Sequence, residues 1–169
     1  MRAVANTSFR RARVVNRMSK FWSCAMALII VGGAGLTATT VQAQDALDLS
    51  AYRGKVVWVD FWASWCTPCR RSFPWLNEVM ERYGKQDFVV VGVNLDKERA
   101  LAEEFLRETP ARFPITYDPQ GKSASAYDVV GMPSSFLIDR DGKVISSHIG
   151  FRRDEQENYE AAIVQALSK

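Results

Sequence analysis

Val56-Val57-Trp58-Val59-Asp60-Phe61-Trp62-Ala63-Ser64-Trp65-Cys66-Thr67-Pro68-Cys69 leads an apolar strand directly into two cysteines spaced by two residues. A strand with one wet face would alternate, so the near-continuous apolar run 56–62 suits a central strand covered on both faces. From Thr67 to Gly84 the pattern turns helical, with Phe73, Leu76, Met80 and Tyr83 on one face. Pro68 fits the first turn, where its missing N–H is not needed, and Pro74 is expected to kink the helix. Cys66 thus falls at a helix start, where unpaired backbone N–H groups and the positive end of the dipole favour an anion. The thiolate is the form that attacks a disulfide. Cys66 is therefore expected as the attacking thiolate, and Cys69, one turn in and more covered, as the resolving thiol that completes a redox-active pair. Arg70 and Arg71 add exposed positive charge nearby.

Other uses of the pair fit less well. A structural zinc site takes four ligands, and the chain offers one such pair with a single distant His148, so no metal is expected. Covalent haem attachment would need His after the second cysteine, where Arg70 stands. A purely structural disulfide enclosing two residues would remove little chain entropy.

The first 44 residues hold six Lys or Arg and no Asp or Glu, then an apolar core from Cys24 to Leu36, then small residues ending Val41-Gln42-Ala43. That is the shape of a secretory signal peptide, with cleavage expected after Ala43. An uncleaved membrane tether is the alternative, although the apolar stretch is short beside the roughly 20 residues a span needs. Met18-Ser19-Lys20 would itself begin a compact leader, so Met18 is a candidate start. Without the leader's 6 basic residues, 16 of the 22 remain against 19 acidic ones, and the formal charge passes from +3 to −3. No basic stripe is left to argue for nucleic acid. Residues 44–169 fit one domain in an extracytoplasmic, periplasm-like space, and with Cys24 removed Cys66 and Cys69 are its only cysteines.

Farther along, 88–95 reads as a second buried strand and Glu98 to Glu108 as a helix with Leu101, Phe105 and Leu106 inward. The strand–helix–strand order implies a parallel pair with a right-handed crossover. Phe113 to Tyr117 suits a short strand and Lys122 to Asp128 a short helix. Ser134 to Asp139 and Lys143 to Ile149 alternate around Asp141-Gly142, a hairpin signal. Asp154 to Leu167 closes the chain as a helix with Tyr159, Ala162, Ile163, Ala166 and Leu167 as its inner stripe.

The run Val59 to Cys69 resembles the active-site region of thioredoxin-fold proteins. Leu49 to Lys55, the 113–128 segment and Gly131-Met132-Pro133-Ser134-Ser135-Phe136-Leu137-Ile138-Asp139-Arg140-Asp141-Gly142-Lys143 extend the likeness to the exported TlpA/ResA branch, over residues 45–169. The resemblance implies an α/β thioredoxin-like fold: a central mixed β-sheet flanked by helices, with an added strand–helix segment near 113–128. It also implies a cis peptide bond before Pro133, facing the cysteines, with the Met132 backbone open to an extended substrate. Trp65 flanks the attacking thiol where a partner must dock, and packing over the site is the alternative. Asp60 matches the buried acid of thioredoxin, where a carboxyl that resists ionisation can take the Cys69 proton. A hydrogen-bonded structural Asp is the alternative. Many TlpA-like members carry Asn there, and Gly92 stands where thioredoxin has a lysine.

The implied activity is that of an exported thiol-disulfide oxidoreductase, a reductase of protein disulfides, with no cofactor of its own. Such an enzyme would draw electrons from a membrane donor of the DsbD/CcdA kind. Cytochrome c maturation is one setting, although Ser134-Ser135 departs from the Glu-containing segment common in the DsbE/CcmG group. A DsbA-like oxidant would run the same atoms in reverse, and a non-enzymatic adaptor or Cu(I)-binding chaperone would use the thiols as soft ligands.

Overall fold

The computed structural model describes residues 46–169; the expected leader, its cleavage site and the candidate start at Met18 lie outside the described residues. Its strands are β1 (Val56–Trp62), β2 (Phe88–Asn94), β3 (Ile115–Tyr117), β4 (Ser134–Ile138) and β5 (Val144–Ile149). Its helices are α1 (Thr67–Tyr83), α2 (Arg99–Glu108), α3 (Lys122–Ala126) and α4 (Gln156–Leu167). The sheet runs β3-β2-β1-β4-β5. β1 pairs parallel with β2 and antiparallel with β4, and β2 with β3 is parallel, so the sheet is mixed.

Every residue of β1 and β2 is buried, as expected for central strands covered on both faces. Alternation sorts their side chains into two cores. On one face Val56, Trp58, Trp62, Phe88 and Val90 meet α1, α2 and α4 through Phe73, Leu76, Val79, Ala102, Phe105, Ile163 and Ala166. On the other, Val57, Val59, Phe61, Val89, Val91 and Val93 pack against Leu47, Ala124 and Tyr127. The Phe105 ring lies 4.7 Å from Trp62 and 5.1 Å from Phe73. Such aromatic pairs are worth about 0.5–1.5 kcal/mol each beyond the area they bury.

α1 buries residues 69, 72, 73, 76 and 79, the spacing of one helical face, and Trp75 widens it. The helix continues as one element through Pro74. Two expectations need correction. Leu101 is 45% exposed, and Ala102 takes the inward place beside Phe105, since the packing of the helix on the core sets its buried stripe at 102, 105 and 106. The strand expected as an alternating Lys143 to Ile149 carries a register irregularity: Ile138 pairs with Val144, but Leu137 pairs with Ser146. The extra residue reverses which faces its side chains point to. His148 therefore lies in register with Ser135, and Ile149 is left exposed on the edge strand.

Candidate active site

Parallel β1 and β2 end, and antiparallel β4 begins, at the same edge of the sheet, with Phe61 paired to Ser134. The loop 63–66 that follows β1 and the loop 131–133 that precedes β4 therefore emerge together. Open α/β sheets bind ligands beyond such strand ends. The first loop is tied down on three sides. Cys66 N–H donates to the Ala63 carbonyl at 3.1 Å, and Leu95 N–H to the Trp62 carbonyl at 3.0 Å. The buried Asp96 carboxylate accepts the Ser64 backbone N–H and hydroxyl, each at 2.8 Å, and the Asn94 side-chain amide at 2.7 Å. A carboxylate with three donors can be buried at modest cost, and here it fixes the residues just before the first cysteine.

Cys66 is the N-cap residue of α1, and Pro68 occupies the first turn. The two cysteines are joined by a disulfide, with their Cα atoms 5.3 Å apart. Cys69 N–H is shared between the Cys66 carbonyl at 3.1 Å and Cys66 Sγ at 3.2 Å, so a first-turn N–H of the helix already points at the sulfur that would carry the anion. Cys66 keeps 3% of its surface in contact with solvent, and Cys69 none. The Arg70 guanidinium bonds Glu108 at 2.7 Å and lies over the Phe105 ring.

Asp60 lies on the Trp58 and Trp62 side of β1, the side whose core includes both cysteines. It is 1% exposed. Burial lifts its pKa to about 7, while the Ser135 hydroxyl, donating to Oδ1 at 2.6 Å, pulls the other way. The Trp58 indole adds a weaker lowering pull without reaching hydrogen-bond geometry. Its Nε1 and Asp60 Oδ2 are both buried and without a hydrogen-bond partner among the described residues. Across β2 the residue opposite Asp60 is Gly92. A Cβ there would come within 2.7 Å of Ile115 Cδ1, 3.1 Å of Phe113 Cε2 and 3.2 Å of Trp62 Nε1. The 113–117 segment therefore fills the space in which a longer side chain could approach the acid. His148, behind Ser135 in the sheet, stacks on Tyr159 at 4.2 Å, and burial lowers its pKa to about 4.

The Met132–Pro133 bond is cis. Ser134 Oγ donates to the Gly131 carbonyl at 2.7 Å and Gly150 N–H to the Pro133 carbonyl at 2.7 Å, which pins this loop to β5. Met132 packs against the core that contains the cysteines. Trp65 is 70% exposed, so it stands out beside Cys66 instead of folding over it. Val130 and Ile149, at 81% and 64% exposed, flank the Pro133 loop and extend the apolar surface.

The fold thus gathers Cys66, Cys69, Asp60, Trp65, Met132 and Pro133 at one end of the sheet. Sequence reasoning missed Ser135, Asp96 with Ser64, and the exposed pair Val130 and Ile149. A polar Asp96 just after an apolar strand is a recognisable signal. The partner of Asp60 is not, because strand pairing chooses it from a segment 75 residues away.

The Redoxin family profile matches residues 32–163. Thiol-disulfide oxidoreductase ResA of Bacillus thuringiensis subsp. konkukian is 33% identical over 110 residues, covering 65% of this chain and 64% of the relative. ResA of Geobacillus kaustophilus is 41% identical over 96 residues, 57% of this chain and 55% of the relative. The chain thus spans less than two thirds of the length of these relatives. Among solved structures, a Chlorobium tepidum protein provisionally described as thiol:disulfide interchange protein DsbE is 50% identical, with a TM-score of 0.69 over 70% of this chain and 84% of that one. StoA from Bacillus subtilis, 27% identical, has a TM-score of 0.56 over 64% and 84% of the two chains.

Proposed function

The chain belongs to the Redoxin family, and we propose that it is a thiol-disulfide oxidoreductase that reduces protein disulfides through a Cys66/Cys69 dithiol–disulfide cycle. The observation that carries this is the placement of the disulfide. Cys66 Sγ sits at the start of α1 and receives the Cys69 N–H, while Cys69 is fully covered behind it.

In the reduced protein the Cys66 thiolate attacks one sulfur of a substrate disulfide. A Cys66–substrate bond forms, and the substrate's other sulfur leaves with the electron pair. Cys69 then gives its thiol proton to Asp60 and attacks Cys66 Sγ. The Cys66–Cys69 bond forms, the mixed disulfide breaks, and the second substrate sulfur leaves as a thiolate that is then protonated. Two electrons have passed to the substrate, and a dithiol donor must return two to the protein. A proton acceptor with a pKa of about 7 suits this exchange, since it can both take and release the proton near neutrality. Trp65, Met132 and the Pro133 loop, with Val130 and Ile149, supply apolar contact for the substrate chain around the reacting sulfur.

The basic, apolar and small-residue pattern of residues 1–43 supports export, and an exported reductase needs electrons carried across a membrane. A membrane dithiol donor of the DsbD/CcdA kind meets that need, and exported cysteine proteins, apocytochromes c among them, are suitable substrates.

Insulin reduction tests the activity. The wild type should turn over and Cys66→Ser should not; equal rates would overturn the reading. The Cys66–Cys69 reduction potential tests the direction. A value near thioredoxin's, about −270 mV, supports a reductase, and one near DsbA's, about −120 mV, would make the protein an oxidant.

A further inference from the structure

Asp60, Ser135 and His148 stand side by side on β1, β4 and β5, Asp60 paired with Ser135 and Ser135 with His148. Ser135 is 2% exposed, and its hydroxyl makes the only hydrogen bond to the Asp60 carboxyl among the described residues. Oδ2 of Asp60, equally buried, has none. We propose that Ser135 is a positioning residue for disulfide exchange: its hydroxyl holds Oδ1, leaves Oδ2 as the oxygen that takes and releases the proton, and thereby sets the pH at which Cys69 resolves the mixed disulfide. This rests on Asp60 as the acceptor of the Cys69 proton.

The direction of the effect follows from charge. A hydroxyl that donates to a carboxylate stabilises the ionised acid more than the neutral one. Burial alone would hold Asp60 protonated to a higher pH, and the hydroxyl brings it back toward neutrality. Among the described residues the one other group that pulls the same way is the Trp58 indole, more weakly and without hydrogen-bond geometry. From α1 come the two cysteines themselves, and from β2 the residues Val90, Gly92 and Asn94, which do not titrate. β1 contributes Trp58 and Trp62, and α2 and the 113–117 segment contribute the apolar Phe105 and Phe113. From β5 comes His148, kept neutral by burial above a pH of about 4, and from α4 comes Tyr159, stacked on that imidazole. Asp96, beyond the end of β2, is committed to Ser64 and Asn94.

Two readouts on the intact protein test this. One is the carboxyl carbon-13 titration of Asp60 in the oxidised form, assigned with Asp60→Asn. The other is the pH profile of resolution, read as release of the second thionitrobenzoate when the reduced protein meets Ellman's reagent. Ser135→Ala should raise the Asp60 midpoint by about one to two pH units, the worth of a hydrogen bond to a charged group. The acid limb of the profile should then slow by about ten- to a hundredfold while the alkaline limb stays put. Ser135→Thr, which keeps the hydroxyl, should restore both. An unmoved midpoint in Ser135→Ala overturns the proposal, and so does a moved midpoint with an unmoved profile. In the latter case Asp60→Asn tells which step failed. If it also leaves the profile unchanged, Asp60 is not the proton acceptor; if it alters the profile, the fault lies with Ser135.

Discussion

Replacing Asp60 by Asn should change stability by an amount that grows with pH in one direction. In the fold the acid titrates at about 7 instead of its ordinary 3.8, with burial as the main cause and the Ser135 hydroxyl opposing it. Between those two values the unfolded chain has released this proton and the folded chain still holds it. Stability therefore falls as pH rises, by about 1.4 kcal/mol per pH unit. Over roughly three units the loss is on the order of 4 kcal/mol. Above the folded value both states are ionised, and the loss stops growing. Below the ordinary carboxyl value both are protonated, and it vanishes.

The wild-type profile alone would hide this. His148, lowered from 6.5 to about 4 by burial, acts in the opposite sense. Between those values the unfolded chain binds a proton that the folded chain refuses, so stability falls as pH drops. The two windows overlap, and within the overlap the contributions oppose each other. The informative measurement is a difference: guanidinium unfolding of the oxidised wild type and of Asp60→Asn, at steps from about pH 3 to about pH 8.5, which brackets the ordinary and the folded value of Asp60. The variant has no proton to release at residue 60. It should gain on the wild type by about 1.4 kcal/mol per unit up to about pH 7, then run parallel to it. The unpaired amide hydrogens of Asn add an offset that does not depend on pH. A difference between the two proteins that stays flat across the whole range would refute the reasoning.

Asp96→Ala should leave the Ser64 N–H, the Ser64 hydroxyl and the Asn94 amide without their shared acceptor. A loss of about 2–4 kcal/mol in denaturant unfolding is expected, together with slower thiol exchange as the loop before Cys66 loosens. Gly92→Ala would set a methyl against Ile115 and Phe113, and since the end of the Ile115 side chain can move, the cost should be about 1–2 kcal/mol by the same assay. Trp65→Ala combined with Ile149→Ser removes exposed apolar surface next to Cys66 in the chain and next to the Pro133 loop, and should leave folding intact. It should lower kcat/KM for a protein disulfide by roughly tenfold while barely touching reaction with a small disulfide; equal losses on both substrates would count against a docking surface.

The strand–cysteine–helix unit was legible because every signal in it is local. An unbroken apolar run, a proline in the first helical turn and a helical stripe each act within a few residues, and β1 and α1 appear at or within one residue of the expected bounds. Leu101 shows where such reasoning slips: two leucines and a phenylalanine suggest one stripe, while the packing of the helix on the core turns Ala102 inward. β5 shows a second cause. Its bulge is a property of the β4–β5 pairing, and reading Val144 to Ile149 as a plain alternation passes over it. Without that extra residue His148 would point to the other face, away from Ser135 and Tyr159.

The same distinction explains why the burial of Asp60 could be read from sequence but not its setting. Burial follows from β1 itself, since an acid inside an unbroken apolar run has nowhere wet to point. Its two neighbours in the sheet come from elsewhere: Gly92, which offers no side chain and is roofed by Ile115 and Phe113, and Ser135, which offers one hydroxyl. An acid placed between them faces a large desolvation cost, opposed chiefly by the Ser135 hydroxyl and more weakly by the Trp58 indole. With no cation from β2 to share the balance, one hydroxyl should have more leverage over the proton than it would have beside a lysine, and on the proposal above the pH range of exchange should move with that single β4 hydroxyl.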